Sequence, residues 1–232
     1  MSFLNKQFQQ GKYSHSHVNV DNRNTLSYDE WATLIRTNFE KEFYIRSKQT
    51  YRDYIYYSES PSDKEKYIHY EEQIRPNMFI AMARAPSLFD KEHVLKCMKV
   101  AEEYLVVPNC VGIRTLDKRD KDYNGDYNVD DHGSSYNTAH GFNYHNGPEW
   151  VFPFGYYLNA KVMFNELKIK DEVVRDVCEK MLPCMKYIEN DVWGGLPELT
   201  NKNGAFCSGS CCTQAWSIGT VLEAVEKLSK LK

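Results

Sequence analysis

The chain has 232 residues, 42% hydrophobic and 26% charged, enough for one domain that buries roughly 70% of its unfolded surface. A net charge of −3 and a sequence pI near 6.2 leave no polybasic face for nucleic acid or anionic lipid. The longest apolar runs, NMFIAMARA and EYLVV, fall far short of the roughly 20 residues that a helix needs to span a bilayer, so no membrane partner is expected.

Residues 1–25 are polar and aperiodic and read as an N-terminal arm, which leaves 26–232 as the folded portion. Ser27 and Glu30 form a capping box ahead of Trp31, Leu34, Ile35, Phe39 and Phe43 at helical spacing. Residues 47–73, rich in Tyr and charge around a Ser-Pro-Ser, read as a long loop. Pro76 opens a short helix that Pro86 ends. Asp90 caps a second helix carrying Val94, Leu95, Met98, Ala101, Tyr104 and Leu105, the two forming an antiparallel hairpin. Residues 110–147 have no period. Helices are expected over 150–167 and 171–188, the latter with Val173, Val174, Val177, Met181 and Met185 inward. A second aperiodic stretch, 189–212, leads to a last helix capped by Thr213, with Trp216, Leu222, Val225 and Leu228 on its buried face. No strand series stands out. The expected fold is therefore all-α, built of αα-hairpins with long polar loops on one face, where function concentrates.

Several motifs are set aside. Asp120, Asp122, Asn124, Gly125, Asp126, Asn128 and Asp131 follow the alternation of a calcium-binding loop. The twelfth position lacks the longer Glu and no helix precedes, so this is read as a solvated acidic turn. Cys207, Cys211 and Cys212 lack the paired spacing of a zinc knuckle. His15, His17, His69 and His93 have no partner at ligand spacing and are assigned to surface or packing. No metal and no cofactor is expected. Seven cysteines without regular spacing, no glycosylation sequon and no secretion or transit signal point to reduced thiols in the cytoplasm.

Aromatic rings make up 14% of the chain, and rings with polar tips stack on sugar faces. Two aperiodic stretches each place a carboxylate among such rings. In GFNYHNGPEW, Glu149 follows Gly147-Pro148 and serves either as a helix-start carboxylate or as a ligand contact. In WGGLPELTN, Glu198 lies between Trp193 and Asn201, and no cap or ion-pair register accounts for it. Glycoside hydrolysis uses this equipment: an acid for the leaving oxygen, a carboxylate for water, and rings to hold the sugar.

GFNYHNGPEW with the following VFPFGYYLNAK, and GLPELTNKNGAFCSGSCCTQAWSIGTVLE, closely resemble the C-terminal, amylo-α-1,6-glucosidase part of eukaryotic glycogen debranching enzymes. SYDEWATLIRTNFEKEF, RPNMFIAMARAPSLF and GIRTLDKRD agree too, so the resemblance runs from about Thr25 to the end. It implies part of an (α/α)6 toroid and inverting hydrolysis of α-1,6-linked glucose at branch stubs of glycogen or a branched α-glucan. By the same resemblance Glu198 is the general base. Asn143, Tyr144, His145, Glu149, Trp150, Trp193, Gln214 and Trp216 line the glucose pocket. The family's general acid lies in a segment resembling NCGTWMDKMG, which does not occur here. The expected partner is therefore an upstream half of the enzyme, or self-association. The alternative is a catalytically silent glucan-binding or vestigial fragment that lacks the general acid.

Overall fold

A computed structural model describes residues 17–19, 25–57, 60–135, 138–164 and 170–231. Most of the expected N-terminal arm lies outside them. What is described of it is strand β1 (His17–Asn19), paired antiparallel with β2 (Thr25–Ser27). Helix α1 (Tyr28–Phe43) starts at the expected capping box: Ser27 Oγ accepts from the Glu30 amide at 3.3 Å and Glu30 Oε2 accepts from the Ser27 amide at 2.8 Å. The helix ends in a tight hairpin of β3 (Tyr44–Ile45) and β4 (Thr50–Tyr51).

The expected loop over 47–73 is corrected, because it contains α2 (Pro61–Glu71). Its signal was present in the Ser60-Pro61 pair: Ser60 stands at the cap and Pro61 takes the first turn, where its missing N–H costs nothing. Helix α3 (Met78–Arg84) follows, and α4 (Lys91–Tyr104) opens as expected, with Asp90 Oδ1 accepting from the His93 amide at 3.0 Å. The expected α3–α4 hairpin gives way to a different arrangement, in which α3 packs chiefly on α5 (Val151–Met163).

Helix α5 is the hub. Of its residues only Phe152 and Met163 keep partial exposure, and a helix apolar on every side must be enclosed by others. Phe154 and Tyr157 are at most 2% exposed, and each contributes roughly 1.5–3 kcal/mol by burial. Helix α6 (Lys170–Asn190) covers one flank through Val173, Val177, Met181 and Cys184, whereas Met185, expected inward, is 45% exposed.

Helix α7 (Ala215–Ser229) packs most closely on α5. The contact is set by small residues: a Cβ on Gly155 would lie 2.2 Å from Thr220 Oγ1. Asn159 Nδ2, buried between the two helices, donates to Gly155 O at 2.9 Å and Thr220 O at 3.1 Å. Two expectations for α7 are corrected. Its cap is Gln214 rather than Thr213. Its inward face is Ser217, Thr220, Val221, Ala224 and Leu228, which leaves Trp216, Leu222 and Val225 48%, 62% and 38% exposed. Close backbone approach demands small side chains, so the larger apolar ones turn outward.

The long loops are tied together by a feature the hydrophobic pattern did not show, a three-stranded antiparallel sheet of β5 (Ile113–Arg114), β6 (Glu149–Trp150) and β7 (Leu199–Thr200). The protein remains mostly helical, with small strands joining its loops. No helix among the described residues is long and apolar enough to cross a membrane.

Candidate functional site

Glu198 immediately precedes β7, and the sheet fixes where it points. Its carbonyl accepts from the Val151 amide at 3.1 Å, which ties it to the start of the hub helix, and its own amide donates to Cys211 O at 2.9 Å. Ser210 closes the open edge of β7, its hydroxyl accepting from the Leu199 amide at 3.1 Å and donating to Leu199 O at 3.0 Å. The backbone on both sides of Glu198 is thus held by two separate segments, the start of the hub helix and Ser210-Cys211.

The half-buried carboxylate of Glu198 is met by donors on two sides. Gln214 Nε2 donates to Oε1 at 3.1 Å, and the Cys211 amide reaches Oε2 at 3.4 Å. The Tyr144 hydroxyl also bonds it; burial first, and then this bond to a carboxylate, push the Tyr144 phenol well above its ordinary range. The His145 imidazole lies in the field of the same carboxylate. Burial and then the Arg75 guanidinium lower its proton affinity against the opposing pull of Glu198, so the ring is held neutral at pH 7. Glu198, Tyr144, His145 and Gln214 therefore gather in one place, from loops more than fifty residues apart.

Beside this group runs a tract of rings. Tyr144 meets Tyr127 at 4.8 Å and Trp150 at 4.7 Å between centroids. Trp150 meets Phe152 edge-on at 5.6 Å, and Phe152 stacks on Trp216 at 3.8 Å and 15°. Trp216 closes the tract with an exposed face, the kind of apolar plate on which a pyranose stacks. Trp193 stands apart, 79% exposed, on a turn fixed by Asp191 Oδ2, which accepts from the Trp193 and Gly195 amides at 3.0 Å.

Three of the expected contacts are buried in this structure. Glu149 is 0% exposed and belongs to β6, not to a helix start. Its Oε1 accepts from the Asn203 amide at 2.8 Å, and its Oε2 from the Gly204 amide at 2.9 Å and the Thr200 hydroxyl at 3.2 Å. Burial raises this carboxyl above its usual value against the opposing effect of those donors. These bonds hold the 201–205 turn against the sheet. Asn143 is 1% exposed and donates to Asn124 O at 3.1 Å and Asp126 O at 2.8 Å, locking the two halves of the long loop together. Gly147 permits this approach: its φ is +149°, and a Cβ there would stand 2.2 Å from Asn124 O. Trp150 is 4% exposed and donates its indole N–H to Tyr144 O at 2.9 Å, so it supports Tyr144 from beneath.

Two members of the site escaped the sequence. Tyr127 lies in a stretch without period, its amide bonded to Asn201 Oδ1 at 2.9 Å. Cys211 acts through its backbone amide, which no residue type announces. Phe152 had a weak signal as an aromatic on the first turn after the Glu149-Trp150 pair.

Known proteins match this chain over nearly its whole length. Residues 4–223 match the family described as amylo-alpha-1,6-glucosidase. A glycogen debranching enzyme from Saccharomyces cerevisiae is 35% identical over 243 aligned residues, covering 92% of this chain and 15% of that protein. The chain thus spans a small part of the length of the relative it matches. The chain belongs to the amylo-alpha-1,6-glucosidase family.

Proposed function

We propose that Glu198 is the general base of an inverting glucosidase that hydrolyses α-1,6-linked glucose at branch stubs of glycogen or a branched α-glucan in the cytoplasm. The observation that carries this reading is the setting of Glu198: a half-buried carboxylate bonded by Gln214 and Tyr144, beside a ring tract that ends in the open face of Trp216. A base must hold an attacking water in a fixed direction, and donors on either side of a carboxylate fix that direction. Tyr144, His145, Gln214 and Trp216 line the glucose pocket, and Trp193 extends it from its exposed turn.

Inversion also needs a carboxylic acid across the sugar, roughly 6.5–9.5 Å from the base. Among the described residues no second carboxylate joins the hydrogen-bonding neighbours of Glu198. The family resemblance puts the acid in a segment like NCGTWMDKMG, which this sequence lacks, so in this reading an upstream half of the enzyme supplies it. The helices α3, α5, α6 and α7 form part of an (α/α)6 toroid, and the outward apolar side of α7 at Leu222 and Val225 is where further hairpins pack.

α-Glucosyl fluoride tests the base by itself, because fluoride departs with little need of a proton. The chain is expected to hydrolyse it and release β-glucose first, as followed by proton NMR, and Glu198→Gln is expected to slow that release about 10²–10⁴-fold. Release of α-glucose, or turnover unchanged in Glu198→Gln, overturns the assignment. Glycogen binding without any turnover of the fluoride supports the alternative, a silent glucan-binding fragment.

A further inference from the structure

The acidic turn set aside in the sequence folds back onto α2. Asp120 Oδ1 lies 3.5 Å and Asp122 Oδ2 3.4 Å from His69 Nε2, and the three atoms fall within 4.8 Å of one another. Both separations exceed a normal hydrogen bond. They match the edge between ligand atoms around a tetrahedral ion bound at about 2.0–2.1 Å, which is about 3.3–3.4 Å.

The atoms are also prepared in ways a loose surface cluster is not. His69 Nε2 is closed to solvent and has no hydrogen-bond partner, although the side chain as a whole is 38% exposed, and the Asp120 and Asp122 side chains are 9% and 20% exposed. Gln73 Nε2 faces both carboxylates at 3.4 Å. Its orientation is settled by Arg75, whose Nε and Nη2 donate to Gln73 Oε1 at 3.0 and 2.7 Å. Such braces behind the ligands characterise metal sites. His69 and Asp120 also line an open cavity of about 720 Å³ beside the cluster.

The oxygens that would complete a calcium loop do not converge. Asn124 Oδ1 accepts from the Asp126 amide, Asn128 Oδ1 from the Asp130 amide and Asp131 Oδ1 from the Gly133 amide, while Asp126 pairs with Lys202. An imidazole with two carboxylates suits zinc. Calcium takes about six to eight oxygens.

We propose that His69, Asp120 and Asp122 bind a zinc ion that pins α2 to the loop following β5. The clamp reaches the candidate glucose pocket through Arg75, whose Nη1 donates to His145 O and whose Nη2 donates to Asn146 Oδ1, each at 2.7 Å.

The test titrates the chelator-treated chain with zinc, calcium and cobalt(II). Zinc is expected to bind with about one equivalent and to raise the thermal midpoint by mass action. Bound cobalt is expected to show ligand-field bands without thiolate charge transfer, which separates this site from the exposed cysteines. His69→Ala and Asp122→Asn are each expected to weaken zinc by at least about tenfold, and Gln73→Leu by roughly 10–100-fold, with far-UV circular dichroism confirming the fold. Should His69→Ala not fold, Asp122→Asn is read in its place. No uptake, a thiolate cobalt spectrum, calcium binding tighter than zinc, or zinc affinity unchanged in folded Asp122→Asn overturns the proposal.

Discussion

Gln214 Nε2 donates to Glu198 Oε1 at 3.1 Å, across the join between the β7 loop and the start of the last helix. The Gln214 amide itself donates to Leu196 O at 2.8 Å, so both ends of this residue brace the Glu198 loop. Gln214→Leu keeps the backbone bond and loses the side-chain donor. It is expected to lower kcat on α-glucosyl fluoride with little change in KM, at a stability cost of about 1 kcal/mol. Glu198→Gln is expected to lose about 10²–10⁴-fold in rate. Steady-state kinetics with urea unfolding checks both, and a loss confined to KM in Gln214→Leu counts against its positioning role.

Glu149 is predicted to matter for folding rather than turnover. In Glu149→Gln the side-chain NH2 must face either the Asn203 or the Gly204 amide, donor against donor, and the cost is about 1–3 kcal/mol. The folded pKa of Glu149 is raised from 4.5, so its contribution is fully present below that value and is lost as pH rises through the folded pKa. The stability gap between wild type and variant should therefore narrow from pH 4.5 toward pH 7 in urea melts. A gap that widens refutes the burial argument.

Lys161, 7% exposed at its side chain, bridges Glu102 and Asp176, with its ammonium 2.7 Å from Asp176 Oδ2. Burial raises both carboxyls, but their bonds to Lys161, supported by Tyr157 at Glu102 and Lys180 at Asp176, bring each below its ordinary value. A depressed carboxyl stabilises the fold above its unfolded pKa, here 4.5 and 3.8, and that stability is lost as pH falls through the folded value. Lys161→Met should cost about 2 kcal/mol at pH 7, discounted for the partial exposure of its partners, and should flatten the acid side of the stability profile. An acid limb of unchanged slope argues against the network.

Gly155→Ala drives a methyl against Thr220, whose Cβ stands 2.5 Å and carbonyl carbon 2.7 Å from the position it would take. Overpacking here is expected to destabilise by about 2–3 kcal/mol. Thr220→Ala in the same chain should recover part of that loss, because the backbone clash remains. Full recovery on thermal melts would show that α5 and α7 separate more easily than this packing implies.

The sequence by itself determined the helices that start at chemically marked caps, Ser27 with Glu30 and Asp90, and most of the stripe that α6 buries. These are local properties, set by spacing and by the hydrogen-bonding of residues within one turn. It also marked Glu198, since a carboxylate among rings in an aperiodic stretch has no local explanation. Tertiary structure decided what each polar group does. Glu149 and Glu198 are both carboxylates beside aromatic residues, yet pairing of β6 with β7 turns one inward onto the Asn203 and Gly204 amides and leaves the other half-open beside Gln214. Strands of two residues have no period to read, and their partners lie far apart along the chain. The inward face of α7 followed the same logic: the approach of Gly155 to Thr220 selected the small residues for the interior, where hydrophobicity alone had chosen the large ones.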